Sequence, residues 1–321
     1  MKQLLVRQWF LFALAAILFL GFAFSKSLKP IADADSFRKY VLVVVLFLMA
    51  LPVESSTILQ TLRRPWAAVL GSVLNMVLLP IVAWCMAMGL RGEMSVGLII
   101  AATSPCTLAS AAVWTRRAGG NDTVAIFITI LTNATCFLLT PFWLSLLLRE
   151  SVQVNTQEMI EKLALLVVLP MVAAQILRQW KPFGMWATAN KKRLSTIAQS
   201  GILVMVLVGA IRCGLQLGGS NWQQQLAIFD FGSMVMAVLL LHLSILYFGR
   251  FAAASLGFSR QDQVAVAIGG SQKTLMVGLY VAIHYFGGLT MLPMVAYHVG
   301  QLVFDTVIAD RWAASDANVS A

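Results

Sequence analysis

Gly269, Gly270, Ser271, Gln272, Lys273 and Thr274 put a hydroxyl, an amide, an ammonium and a second hydroxyl directly after a glycine pair. They lie inside an otherwise apolar run over residues 264–286, long enough to cross a bilayer. A lysine at bilayer mid-depth costs about 2.5–3.5 kcal/mol to insert, so such a group marks an ion or substrate path. The glycines predict a helix break at Gly269–Gly270. A half-helix starting there would offer free N–H groups and a positive dipole end to an anion. Lys273 adds charge to that site, or stands where a bound cation would, or titrates on burial. The alternative is a lysine that snorkels to an interface.

Four more polar groups interrupt apolar runs. Thr103, Ser104, Pro105, Cys106, Thr107 and Ser110 surround a proline that removes a backbone donor. Freed carbonyls in a membrane line a cavity or find partners, and the plain alternative is a kink with hydroxyls bonded back to the chain. His298 and Gln301 follow Pro293 three residues apart, on one helical face. Asp305, seven past His298, reads as a distant counter-charge or an interfacial acid. Asn75 stands five before Pro80, and Thr129, Thr132 and Asn133 cluster farther on. An amide in lipid needs partners.

The elements that position these groups follow from composition. The 321 residues are 60% hydrophobic and 11% charged, where soluble domains carry about 25% charge. The class is an all-α polytopic membrane protein. A β-barrel would alternate in segments of about ten residues, and the runs here are longer and continuous. The net charge of +10 fits basic cytoplasmic loops, and no basic-aromatic patch supports nucleic acid as a partner. Cys85, Cys106, Cys136 and Cys213 show no metal or disulfide spacing. His242, His284 and His298 are scattered, and no acid–base constellation suggests an enzyme. Trp66 and Trp312 read as interfacial belts.

Ten spans are expected, over residues 9–24, 40–53, 66–88, 94–114, 122–148, 159–177, 194–217, 231–256, 261–286 and 290–309. The first is read as a retained helix rather than a cleaved signal. Lys2, Arg7, Arg63, Arg64, Arg116, Arg117 and the cluster Lys191, Lys192, Arg193 fall on the side of both termini. Both termini are therefore expected in the cytoplasm, with an inner-membrane location. A charged cytoplasmic linker at residues 178–193 separates residues 1–177 from 194–321, with six spans before it and four after. The ten spans themselves divide into two halves of five. Five spans per half insert with opposite topology, the plan of an inverted repeat. The fourth span of each half is interrupted, at Ser104–Pro105 and at Gly269–Gly270, which points to a midplane binding site.

These stretches carry a resemblance. The run Ser104–Pro105 through Gly119, Gly120 and Asn121, the run Gly270-Ser271-Gln272-Lys273-Thr274-Leu275, and the run Pro293 through Tyr297, His298 and Gln301 resemble the bile acid:sodium symporter superfamily. They resemble most an SBF-like bacterial branch with G-S-x-K-S-L-like and P-x-x-x-[YF]-H-x-x-Q-like runs. The resemblance implies a core of spans three to five and eight to ten, with spans four and nine broken and crossing. It implies a panel of spans one, two, six and seven, with substrate bound between panel and core. It also implies weak sodium ligands at Asn75, Ser110, Thr129 and Gln272. The family's asparagine, span-five serine and glutamate positions are Ala111, Ala125 and Ile268 here. Hard cations want oxygen and negative charge, so Lys273 becomes a candidate stand-in for one sodium.

The resulting expectation is a secondary transporter of an organic anion or small amphipathic metabolite, with no cofactor beyond Na+ or H+ as coupling ion. Two alternatives stand beside it. One is an arsenite-type exporter of the same superfamily, suggested by Cys106. The other is a membrane regulator that keeps the fold without flux.

Overall fold

The structure is a computed structural model, and it describes residues 9–54, 65–108, 110–148, 155–218 and 228–319. Lys2, Arg7, Arg63 and Arg64 lie outside them. The described residues form helices and no strand. In chain order they are α1 (Trp9–Ala23), α2 (Ser25–Asp33), α3 (Asp35–Ala50), α4 (Trp66–Ala87), α5 (Gly92–Thr103), α6 (Ser110–Arg117) and α7 (Asp122–Leu147). They continue with α8 (Thr156–Arg178), α9 (Lys181–Ala189), α10 (Lys191–Leu217), α11 (Ile228–Ser255), α12 (Arg260–Ser271), α13 (Leu275–Tyr285) and α14 (Met291–Val319).

Among these residues seven segments are long and apolar enough to cross a membrane, or eight if α1 and α2, bent by 103°, count as one. The protein is an integral membrane protein. Of the other expected spans, the second is α3, only 16 residues long and beginning at Asp35 rather than Tyr40. The fourth is split between α5 and α6. Residues 178–193, expected as a linker, contain helix α9.

The helices pack in two groups. The long α10 lies against α1, α2 and α3, and α8 packs on α3. In the second group α12 is held by α4, α7 and α11, while α14 packs on α5 and α11. The window of Arg260–Tyr285 is 100% buried. Its polar break therefore faces protein rather than lipid.

Local sequence sets the ends that matter. Asn121 caps α7 by accepting from the Thr123 and Val124 amides, and its Nδ2 donates to Asp262 at 2.8 Å. Ser259 caps α12 by accepting from the Asp262 amide. One turn residue thus ties the start of α7 to the start of α12. Trp312, expected at an interface, is buried beneath the Arg250 guanidinium, 4.4 Å above its ring. Trp66 is 71% exposed, as a belt residue should be.

Candidate functional site at two broken helices

The second break lies beyond the glycines. Helix α12 runs through Gly269 and Gly270 to Ser271, and the chain is extended at Gln272 (ψ 144°) and Thr274 (ψ 131°). The glycines serve packing instead. A Cβ on Gly269 would sit 2.8 Å from Ile128 Cδ1, and one on Gly270 would sit 3.3 Å from Leu74 Cβ. Both lie where α12 comes close to α7 and α4.

The first break follows from Pro105. The residue before a proline is pushed out of helical conformation, and Ser104 is extended at ψ 149°. α5 therefore ends at Thr103.

Each carbonyl from Gly269 to Lys273 in break two faces a side-chain donor. Gln301 holds both faces of Lys273, its Oε1 accepting from the Lys273 amide at 2.8 Å and its Nε2 donating to the Lys273 carbonyl at 2.9 Å. Tyr297 Oη donates to the Ser271 carbonyl at 2.7 Å. Asn75 Nδ2 caps the end of α12, facing the carbonyls of Gly269, Gly270 and Gln272 at 3.1, 3.2 and 2.8 Å. The Thr274 amide donates across to the Pro105 carbonyl at 2.8 Å, joining the two breaks.

Break one is held from α7. The Cys106 amide donates to Thr132 Oγ1 at 3.2 Å. Asn133 Nδ2 donates to the Cys106 carbonyl at 2.8 Å, and Thr129 Oγ1 lies 3.2 Å from the Thr107 carbonyl. Thr140 Oγ1 takes the Thr103 carbonyl at 2.7 Å.

Lys273 bridges the two breaks and is fully buried. Its Nζ donates to the Asn75 carbonyl at 2.6 Å, Asn75 Oδ1 at 3.0 Å and the Ser104 carbonyl at 2.8 Å. It does not snorkel. The origin of this cage is legible in α4. Residues Leu74–Leu78 form a π-turn, and the Leu79 amide bonds Leu74 rather than Asn75. Pro80 has no N–H to offer. The Asn75 carbonyl is left for Lys273, and the Met76 carbonyl for Trp143 Nε1, at 2.7 Å.

Beside the cage runs a chain of polar side chains. Ser110 Oγ donates to Gln272 Oε1 at 2.9 Å, and Gln272 Nε2 donates to Asp305 Oδ2 at 2.5 Å. Asp305 Oδ1 meets His242 Nε2 at 2.9 Å. Asp305 is 1% exposed, so it is neither interfacial nor remote from the lysine's break. His298 is buried, with Nδ1 3.0 Å from Gln301 Nε2.

The candidate residues Asn75, Ser104, Pro105, Cys106, Ser110, Thr129, Asn133, Gly270, Ser271, Gln272, Lys273, Thr274, His298 and Gln301 thus converge at the two breaks. Sequence reasoning passed over His242 and Tyr297. The signal for His242 was a lone imidazole in an apolar run, and it needed Asp305 as a partner to be read.

Residues 8–314 match the model of the SBF-like CPA transporter family. The chain belongs to that family, within the bile acid:sodium symporter superfamily. It is a transporter, not an enzyme. An uncharacterized protein of Pseudomonas aeruginosa, PA2026, is 29% identical over 69% of this chain and 66% of its own. The probable sodium/metabolite cotransporter BASS4 of Arabidopsis thaliana is 27% identical over 91% of this chain and 70% of its own. The uncharacterized sodium-dependent transporter YocS of Bacillus subtilis is 24% identical over 92% and 87%.

The four positions that the family resemblance offers to sodium are engaged with protein. Asn75 Oδ1 accepts from Lys273, and Ser110 donates to Gln272. Thr129 Oγ1 donates to its own helix at Ala125, 2.9 Å away. Ile268 supplies no charge, and the acid nearest Gln272 in the hydrogen-bond network, Asp305, is on α14.

Between the two helix groups lies a cleft of about 260 Å³. Ala50, Leu108, Asn133, Met171, Gln175 and Ile176 are among its lining residues. Asn133 Oδ1 is buried and has no hydrogen-bond partner among the described residues.

Proposed function

We propose that this transporter moves a small amphipathic organic metabolite by alternating access, with Lys273 supplying from within the chain the positive charge that relatives named as sodium-dependent take from an ion. The observation that carries the reading is the ammonium of Lys273, held by three oxygens that span both breaks. A neutral oxygen cage of that kind is what a hard cation seeks.

The cleft supports the substrate site. Its walls are α3 and α8 on one side, α7 and the first break on the other. They correspond to panel and core. An apolar body fits such walls, and Asn133 Oδ1 offers one acceptor. Among the described residues no basic side chain lines the cleft, so an anionic group would find its charge partner at the breaks rather than in these walls. α3 and α8 also support a gate at their opposite ends. There His284 at the end of α13 lies 3.0 Å through Nε2 from Lys162 Nζ on α8, and 3.6 Å through Nδ1 from Asp35 Oδ1 on α3. Among the described residues one end is held across the helices by His284 and the cleft lies toward the other, as alternating access requires. With both termini cytoplasmic, the open end faces the cytoplasm of a bacterial inner membrane.

The arsenite-type alternative gains nothing from the geometry, because a soft oxyanion site needs a reachable thiolate and Cys106 is fully buried against Thr129.

The test begins with a thermal-shift screen of small organic metabolites on the purified protein, followed by flux of the hits in proteoliposomes. Flux in wild type should be independent of sodium. Lys273→Ala should either stop it or make it sodium-dependent. Full flux in Lys273→Ala with unchanged sodium and pH dependence would overturn the reading. Stabilising ligands without any flux would favour a regulator.

A further inference from the structure

Helix α9 has no role in the cleft or the breaks, yet its composition is unusual. It is joined to membrane-crossing neighbours by two residues after Arg178 and by one before Lys191. A joint of two residues reaches about 7 Å at most, so α9 stays at the level of the membrane surface. One face docks onto the panel-side helices. Gly184 and Ala187 are buried, and a Cβ on Gly184 would meet the Arg178 carbonyl at 2.7 Å. Arg178 locks the helix by donating to the Leu51 carbonyl and to Thr188 Oγ1, both at 2.8 Å.

The other face is apolar and open. Trp180 is 64%, Met185 69% and Trp186 48% exposed. Trp180 stacks on Phe183, and Phe183 packs on Trp186, in a row of three rings. Tryptophans of this kind settle at the headgroup level of a bilayer. Around this row Lys181, Lys191, Lys192 and Arg193 are all exposed. No aspartate or glutamate occurs between Glu161 and Asp230 to neutralise them. Basic clusters beside an interfacial amphipathic helix attract anionic headgroups.

We infer that α9 and the first turn of α10 form a docking site for anionic phospholipid headgroups, with the aromatic row set among the acyl chains and the four cations around the phosphates. The occupant follows from charge complementarity and from the helix being tethered at the surface between two membrane-crossing helices. So anchored through α9, α8 is the stationary wall of the cleft, a consequence that rests on the transport reading above. The site itself does not rest on it.

The full-length protein in mixed micelles of phosphatidylglycerol and phosphatidylcholine provides the test, with co-purified lipid counted by mass spectrometry. Wild type should retain phosphatidylglycerol preferentially, and raising the salt should weaken that preference. The variant Lys181→Gln/Lys191→Gln/Lys192→Gln/Arg193→Gln should lower it by about tenfold or more. Trp180→Ala/Trp186→Ala should retain less lipid in total while keeping the preference. If the quadruple variant does not fold, single variants Lys191→Gln and Lys192→Gln should each give a partial loss. Unchanged preference in the charge variants would overturn the site. Inorganic phosphate displacing the lipid at millimolar concentration would overturn the lipid as its occupant. Neither measurement involves flux, so the transport reading and the lipid site fail separately.

Discussion

The two broken helices are built on opposite principles. The break between α5 and α6 is a backbone device, in which a proline stops the helix and α7 hydroxyls and an amide take up the loose ends. The break between α12 and α13 is a side-chain device. Its backbone is gripped by Asn75, Gln301 and Tyr297, while Gln272 and Lys273 project into protein. The first break offers carbonyls and the second offers a cation, and Lys273 joins them at Ser104. The two interruptions thus specialise as acceptor and donor.

Replacing the donor should break both at once. Lys273→Met leaves three buried oxygens without a partner and should cost about 3 kcal/mol or more, read as a lowered unfolding midpoint in detergent. A stability within a few tenths of a kcal/mol of wild type would mean the breaks hold without the bridge. Asn75→Ala removes the cap on α12 as well as one lysine acceptor, and about 2–3 kcal/mol is expected. Combined with Lys273→Met it should be clearly non-additive, because the two share a cage; simple additivity would separate the cap from the cage. Asp305→Leu strands His242 and Gln272, and a loss of about 2 kcal/mol should appear in the same assay. The smallest effect is expected at the first break. Thr132→Val deletes the bond from the Cys106 amide at 3.2 Å and the hydroxyl's own bond to the Thr129 carbonyl at 3.1 Å and should cost about 1 kcal/mol. If Thr132→Val costs more than Asn75→Ala, the ranking of the two breaks is reversed.

Much of this was open to reading from residue types. Lys273 and Pro105 announce themselves because each is expensive inside a membrane run. Gln301 was legible from its three-residue spacing to His298. The location of the second break was not. Gly269 and Gly270 look like breakers by propensity, but they sit inside a continuous helix, packed against Ile128 and Leu74. Asp305 was ambiguous for a similar reason. Its partners lie 33 and 63 positions away, and no periodicity connects them. Residues 178–193 looked like a linker because they are the most charged connection between spans, whereas Gly184 and Ala187 give α9 a face to bury.

The sequence by itself determined the membrane class, the helical architecture, the family and the residues expensive enough to need a purpose. These follow from composition, run length and single-residue costs, which are local quantities. The tertiary structure alone decided where the second helix stops and that Asn75 and Ser104 form the cage for Lys273. It alone decided that His242, Asp305 and Gln272 share one network. Partner choice among buried polar groups depends on which helices approach closely, and that closeness is set by packing around small residues far apart in the chain.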